Sequence, residues 1–284
     1  MIEIQELSFG YPGKPLLFQN LHLSLSQGHI YGLLGKNGAG KSTLLKNMVG
    51  LCFPRHGRCA IHGKSVSGRP VDLLEDLYFI PEEIYVPALT PQKFVSSTAC
   101  FYPNFCEDSF YRYLQEFEVP QHAVLSKLSF GQQKKAIIAF GLAANTRLLV
   151  MDEPTNGLDI PSKVQFRKTI AAALTEERCI VISTHQVRDL DSLIDRLVVL
   201  HEQKIILNSS LDEIAEKLTF ATLPDTAGKQ VLYAEDSVRG KQVIMPNLQG
   251  TYSKVEIELL FNALISGNSS LLNHLKLTEY EQAF

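Results

Sequence analysis

The apolar run Ile30-Tyr31-Gly32-Leu33-Leu34 stops at Gly35, and Lys36, Asn37, Gly38, Ala39, Gly40, Lys41, Ser42 and Thr43 follow in succession. Beyond them Leu44, Leu45, Met48 and Val49 fall on one helical face. A turn needs one or two small residues, and this segment has far more. It fits the pattern Gly-x4-Gly-Lys-Ser, with a strand before it and a helix after it, which is the context a phosphate-binding loop requires. Successive backbone N–H groups must face phosphate oxygens, and side chains would block that approach, so glycines are needed. The helix that begins near Lys41 adds its dipole and unpaired N–H groups. Gly35, Asn37, Gly38, Gly40, Lys41, Ser42 and Thr43 are therefore candidate nucleotide contacts. Lys41 is a point charge for the β- and γ-phosphates, and Ser42 is a ligand for Mg²⁺. A plain glycine-rich turn is the simpler alternative, but a chance match of the fixed positions in a chain this long is on the order of 1%.

The bulk properties exclude several classes of protein. With 284 residues, 20% charged and a net charge of −3, the chain has no basic footprint for nucleic acid. The opening MIEIQEL has neither the basic nor the apolar region of a signal peptide. The longest apolar run, Ala136 to Ala144, is about half of a membrane span. The expectation is a soluble chain, with any membrane span supplied by another protein. Five scattered cysteines without a C-x-x-C pair disfavour zinc and disulfides and fit reduced thiols.

Alternation in Ile2, Ile4, Leu7 and Phe9, and again in Leu21, Leu23 and Leu25, predicts an antiparallel β region around a turn at 10–13. A short strand is expected at Leu77 to Ile80. From Thr90 to about Ala144 the pattern is helical, with Phe110, Leu114 and Phe117 on one face and a second helix from near Gly131 carrying Ile137, Ile138 and Phe140. Strand runs at Leu148 to Met151, Ile180 to Ile182 and Leu197 to Leu200 alternate with helices after Pro161 and around Val187 to Leu193. That alternation argues for an α/β fold with a mostly parallel sheet covered on both faces. Near Asn208 the character shifts. Ser210 with Glu213, and Ser253 with Glu256, read as capping boxes, the second opening a helix with Ile257, Leu260, Phe261 and Leu264. Strands are expected at Gln230 to Ala234 and Gln242 to Met245. The division is 1–207, with a helical subdomain at about 88–145, and a small α+β appendage at 208–284.

Leu148-Leu149-Val150-Met151-Asp152-Glu153 is an apolar strand ending in two carboxylates. In parallel sheets ligands bind beyond the carboxyl ends of strands. Asp152 would face the phosphate loop, holding Mg²⁺ directly or through water, and Glu153 would orient or deprotonate an attacking water.

With these elements in this order, the sequence resembles the ATP-binding subunits of ABC transporters across roughly residues 1–207. The resemblance implies a P-loop NTPase core, an N-terminal antiparallel β subdomain and an inserted helical subdomain. Leu128-Ser129-Phe130-Gly131-Gln132 resembles the family's signature, with Phe130 where glycine is usual. Asn156-Gly157-Leu158-Asp159 resembles the loop after the acidic strand, His185 the switch histidine, and Tyr11 the aromatic that stacks on adenine. The resemblance implies that Ser129, Gly131, Gln132 and Asp159 serve ATP bound to an opposing subunit, and that Glu153, His185 and Lys41 carry hydrolysis. It implies a homodimer, or a heterodimer with a similar ATPase, an integral membrane permease as partner, and a cytoplasmic place on the inner face of the cell membrane. Each short motif has a plainer reading taken alone: Ser129 as a helix cap, His185 as a structural histidine, Tyr11 as a hairpin aromatic.

The family commonly has glutamine where Glu82 stands. A carboxylate can ligate Mg²⁺ but cannot donate a hydrogen bond. Glu82 and Tyr102-Pro103-Asn104-Phe105 make the resemblance nearest to bacterial antimicrobial-peptide or ABC-2-type export ATPases. The stretch Ile84 to Phe105, rich in Tyr85, Val86, Leu89, Phe94 and Phe101, is either a groove for a short helix of the membrane chain or subdomain core. Two alternatives stay open: an ABC ATPase acting on ribosomes or DNA, and a regulatory module gated by ATP.

Overall fold

In the computed structural model, which describes residues 1–268 and 270–275, the alternating N-terminal segment pairs as β1 (Ile2–Phe9) with β2 (Phe18–Leu25). Apolar residues of both strands face inward and polar ones outward. The continuous apolar run becomes β3 (His29–Leu34), and the glycine loop leads into α1 (Lys41–Met48). β4 (His56–Ile61) and β5 (Lys64–Ser65) return to the first sheet, giving the order β2-β1-β4-β5. A short α2 (Val71–Leu74) precedes β6 (Leu77–Ile80). Three helices follow: α3 (Pro91–Thr98), α4 (Glu107–Glu116) and α5 (Phe130–Ala143).

The chain then re-enters the main sheet as β7 (Leu148–Asp152), crosses over α6 (Ile160–Ala172), and adds β8 (Cys179–Thr184), β9 (Arg196–His201) and β10 (Lys204–Ser210). The six strands lie in the order β10-β9-β3-β8-β7-β6. All pairs are parallel except β9 with β10. Helix α7 (Leu211–Lys217), a three-stranded antiparallel sheet of β11 (Leu218–Leu223), β12 (Tyr233–Ser237) and β13 (Gly240–Pro246), and α8 (Ile257–Ile265) follow.

Two cores hold these layers. One lies between the two larger sheets, around Phe18, Tyr31, Leu44 and Leu45. The other joins the far face of the parallel sheet to the helices. Its centre is the fully buried Phe140, whose ring lies 4.8 Å from Phe94, 4.9 Å from Phe105 and 5.7 Å from Tyr78, centroid to centroid. Of the apolar stretch at 84–105, Val86 and Phe94 are buried, Leu89, Tyr102 and Phe105 pack against the core, and Tyr85 and Phe101 stand exposed.

Three local expectations need correction. The strand expected at Gln230 to Ala234 runs instead over Tyr233–Ser237, where it pairs with β13. The segment Val187 to Leu193 forms a single 3-10 turn, Val187–Asp189, in place of a helix. Asp189 turns inward to bind Thr155 and Lys163, and Ser192 has φ +62°, which no α-helix continues through. Ser253 does not cap α8: its hydroxyl accepts from the N–H of Phe220 and donates to the same residue's carbonyl, fixing the loop to β11. Glu256 is the residue before the helix, with no side-chain cap bond. The Ser210–Glu213 capping box is present as expected.

Truncating Phe140 to alanine removes the ring on which five other aromatic rings converge. The expected loss is about 3–5 kcal/mol of unfolding free energy, read from the midpoint of a urea titration.

Candidate functional site

The parallel register determines where the site lies. Leu34 at the end of β3 pairs with Thr184 of β8, and Asp152 at the end of β7 pairs with Ser183. The glycine loop, the acidic pair and His185 therefore leave the sheet at one level. Between them is a cavity of about 440 Å³ lined by Leu17, Asn37, Gly38, Gly40, Lys41, Ser42, Thr43, Glu82, Glu153 and His185. Larger hollows exist, one of about 630 Å³ beside Arg147 and Arg178. Size does not select this cavity; its convergent donors and charges do.

The loop is shaped for an anion. Gly38 and Gly40 have φ +79° and +103°, and a Cβ on Gly40 would lie 2.9 Å from the Phe18 ring. A Cβ on Gly35 would meet the Leu200 carbonyl at 2.8 Å. Gly40 precedes α1 without any side-chain cap, so the first N–H groups of the helix are open to a ligand. Phosphate oxygens are the complement of such a cradle.

Charge is concentrated at the mouth. The Lys41 ammonium donates to the Gly35 carbonyl at 2.9 Å and lies 3.7 Å from Oε1 of Glu153, with both side chains nearly sealed from water. Oε1 of Glu153 also meets Nδ1 of His185 at 2.9 Å, and Oε2 accepts from the His185 N–H at 3.3 Å. Glu153 adopts φ +47°, a strained conformation for a residue of its size. Its N–H donates to the carbonyl and hydroxyl of Ser183, at 3.1 and 3.2 Å.

Of the three residues expected to hold Mg²⁺, Ser42 and Glu82 line the cavity. Asp152 sits behind it, buried, its Oδ1 accepting from the Ser183 hydroxyl at 2.5 Å. Oε1 of Glu82 accepts from Nδ2 of Asn156 at 3.0 Å. Among the described residues no three His, Cys, Asp or Glu side chains form a preformed cage. That sparse donor set fits Mg²⁺, which keeps several waters and takes ligands from substrate phosphates.

The other expected contacts lie outside the cavity's lining. Tyr11 stands beside the loop helix, its hydroxyl 3.1 Å from Oγ1 of Thr43 and its ring edge-on to Phe9. Ser129 and Gln132 cap each other at the start of α5. A Cβ on Gly131 would lie 3.3 Å from the Gly157 carbonyl. Asp159 caps α6 by accepting from the Ser162 N–H at 3.0 Å, and the Ser162 hydroxyl first, then that N–H, hold its carboxyl below the ordinary carboxylate value.

Two residues went unnoticed in the sequence. Ser183 binds both Asp152 and Glu153, and only strand register reveals it. Lys134 is fully buried on α5, donating to the carbonyls of Glu153 (2.8 Å) and Asn156 (3.3 Å). Burial pulls its pKa below the ordinary lysine value, and the charges of Glu82, Glu153 and Asp152 oppose that shift. The available signal was its place on the same helical face as Ile137, Ile138 and Gly141.

Comparisons with known proteins identify the family. A model of the ABC transporter family matches residues 18–156. An ABC transporter ATP-binding protein of Haemophilus influenzae is 32% identical over 214 residues, covering 72% of this chain and 81% of that protein. The lantibiotic transport ATP-binding protein SrtF of Streptococcus pyogenes is 29% identical over 216 residues, covering 75% of this chain and 92% of SrtF. A Bacillus cereus relative named for the same family is 30% identical over 224 residues, 75% of this chain, which spans 39% of that longer protein. A solved ATP-binding subunit of an ABC transporter superposes with a TM-score of 0.68 at 26% identity, covering 75% of this chain and 91% of that one.

Gly40→Ala tests the cradle. The strained φ and the contact with Phe18 are expected to lower stability by about 1–3 kcal/mol. Calorimetry should show MgATP binding in the parent and none in the variant.

Proposed function

This chain belongs to the ABC transporter ATP-binding proteins, and from that premise we propose that it is the ATP-hydrolysing subunit of an exporter. The carrying observation is the convergence of Lys41, Glu153 and His185 on the mouth of the phosphate loop, with Glu153 3.7 Å from Lys41 and 2.9 Å from His185.

Bound in this cavity, the triphosphate of ATP is cradled by the N–H groups of the glycine loop and of the first turn of α1. Lys41 exchanges part of its attraction to Glu153 for the β- and γ-phosphate oxygens. Glu153 then accepts the proton of a water that attacks the γ-phosphorus as the bond to the β–γ bridging oxygen breaks. His185 orients the Glu153 carboxylate through Nδ1 and contacts the γ-phosphate. Ser42, Asp152 and Glu82 would hold Mg²⁺, which would supply positive charge to offset that developing on the phosphates. Tyr11, beside Thr43, stacks on the adenine.

Ser129, Gly131 and Gln132 lie outside the lining of their own chain's cavity, which supports their use on a second chain's ATP. The active form is then a head-to-tail homodimer, or a heterodimer with a similar ATPase, with Asp159 at the shared interface. Bridging γ-phosphates favour the closed form, and their loss opens it. Among the described residues no helix is long and apolar enough to cross a membrane; in this reading an integral membrane permease is the partner. It meets this one on the inner membrane face through the exposed Tyr85 and Phe101. No nucleic acid is involved. Residues 1–207 form the ATPase unit, and 208–284 an accessory unit. The similarity to the lantibiotic transport protein SrtF supports peptides as the exported class.

Glu153→Gln is the deciding variant. Phosphate release should fall by about 10²–10⁴-fold while MgATP binding persists and an ATP-dependent dimer accumulates in light scattering. Equal turnover in parent and variant would remove Glu153 from the reaction, and a parent chain with no turnover beside its permease would end the hydrolytic reading.

A further inference from the structure

Lys134 has no part in the mechanism above, yet it is the one fully buried lysine among the described residues. Sealing an ammonium from water costs several kcal/mol unless its donors are satisfied. Here they are directed at main chain: the carbonyl of Glu153 at 2.8 Å and that of Asn156 at 3.3 Å. The aromatic face of Phe130 covers the ammonium at 5.6 Å, and the edge of that ring reaches to 2.8 Å from where a Cβ on Gly157 would be. Phe130 and Lys134, one turn apart on α5, thus grip the whole segment from Glu153 to Gly157.

The grip matters because of the conformation it holds. Glu153 has φ +47°, a conformation that costs free energy for a residue with a side chain. Its N–H is fixed by Ser183 of β8 and its carbonyl by Lys134 of α5, so the peptide planes on both sides are clamped by different elements. The orientation of those planes decides where the carboxylate points, and it points at Lys41 and His185. Losing the carbonyl's partner would free the residue to relax towards an ordinary φ and swing the carboxylate away.

We propose that Lys134 is a positioning residue for Glu153: it fixes the strained backbone that presents the carboxylate, and it does so from the helix whose first turn carries Ser129 and Gly131. The inference rests on the reading of Glu153 as the hydrolytic base.

The test uses the full chain, with MgATP binding by calorimetry and phosphate release resolved into kcat and KM. Lys134→Met fills the same space without a donor. The expected result is a fall of tenfold or more in kcat, with the dissociation constant for MgATP within twofold of the parent. Lys134→Gln restores an N–H donor and should recover kcat to within about threefold; it also serves if the methionine variant does not fold. Glu153→Gln, run beside them, separates the two ideas. If it is inactive while Lys134→Met keeps parental kcat, the positioning role is overturned and the base survives. If the methionine and glutamine variants lose kcat and MgATP affinity together, Lys134 is a plain structural residue and the proposal fails. If Glu153→Gln turns over like the parent, base and positioning role fall together.

Discussion

Parallel pairing of β3, β8 and β7 in one register is the constraint on which the rest depends. Leu34, Thr184 and Asp152 end their strands within one residue of a common level, so segments 32 to 144 residues apart in sequence deliver Lys41, Glu153 and His185 to one small volume. Three separate loops hold an ammonium, a carboxylate and an imidazole this close. The three loops do so because a buried sheet, apolar on both faces, fixes their starting points.

The Lys41–Glu153 pair shows what that arrangement is for. At 3.7 Å and an effective dielectric constant near 20, the gross attraction is about 4 kcal/mol. Desolvating each ion costs several kcal/mol, so the pair contributes little to the stability of the chain. In the proposed hydrolysis each charge has a second use: the ammonium would meet phosphate oxygens, and the carboxylate would meet a water. A site of this kind is preorganised, with its dipoles and charges already set before substrate arrives. The clamps on Glu153 follow the same logic, since strain of about 1–3 kcal/mol persists only where neighbouring elements over-determine the backbone.

Much of this was legible in the sequence because the informative features are local. The glycine loop needs its spacing, the apolar strands need their runs, and an acidic pair at a strand's end needs no partner to be noticed. What escaped were features that depend on tertiary partners. The turn after His185 looks helical, but Asp189 is drawn inward by Thr155 and Lys163 and the chain reverses at Ser192. Ser253 has capping spacing, but the backbone of Phe220 takes its hydroxyl. The strand expected at Gln230 to Ala234 lies at Tyr233–Ser237, because pairing to β13, not propensity, sets its limits. Ser183 and Lys134 depend on tertiary partners too: one matters through register, the other through what its helical face packs upon.

The C-terminal portion extends this dependence to His185. Two ion pairs join it to the turn that follows the histidine, Arg188 with Glu258 at 3.1 Å and Lys254 with Asp191 at 2.8 Å. All four side chains are about half exposed or more, and pairs of that kind contribute at most about 1 kcal/mol each. The apolar contacts weigh more. Leu190, Leu193 and Ile194 of the turn belong to the same core as Val255, just before α8, and Ile257 and Leu260 in it, and burying a side chain of this size is worth about 1.5–3 kcal/mol. Packing rather than charge therefore holds the C-terminal portion against the segment that carries His185. Added salt would weaken the ion pairs and leave that attachment largely in place.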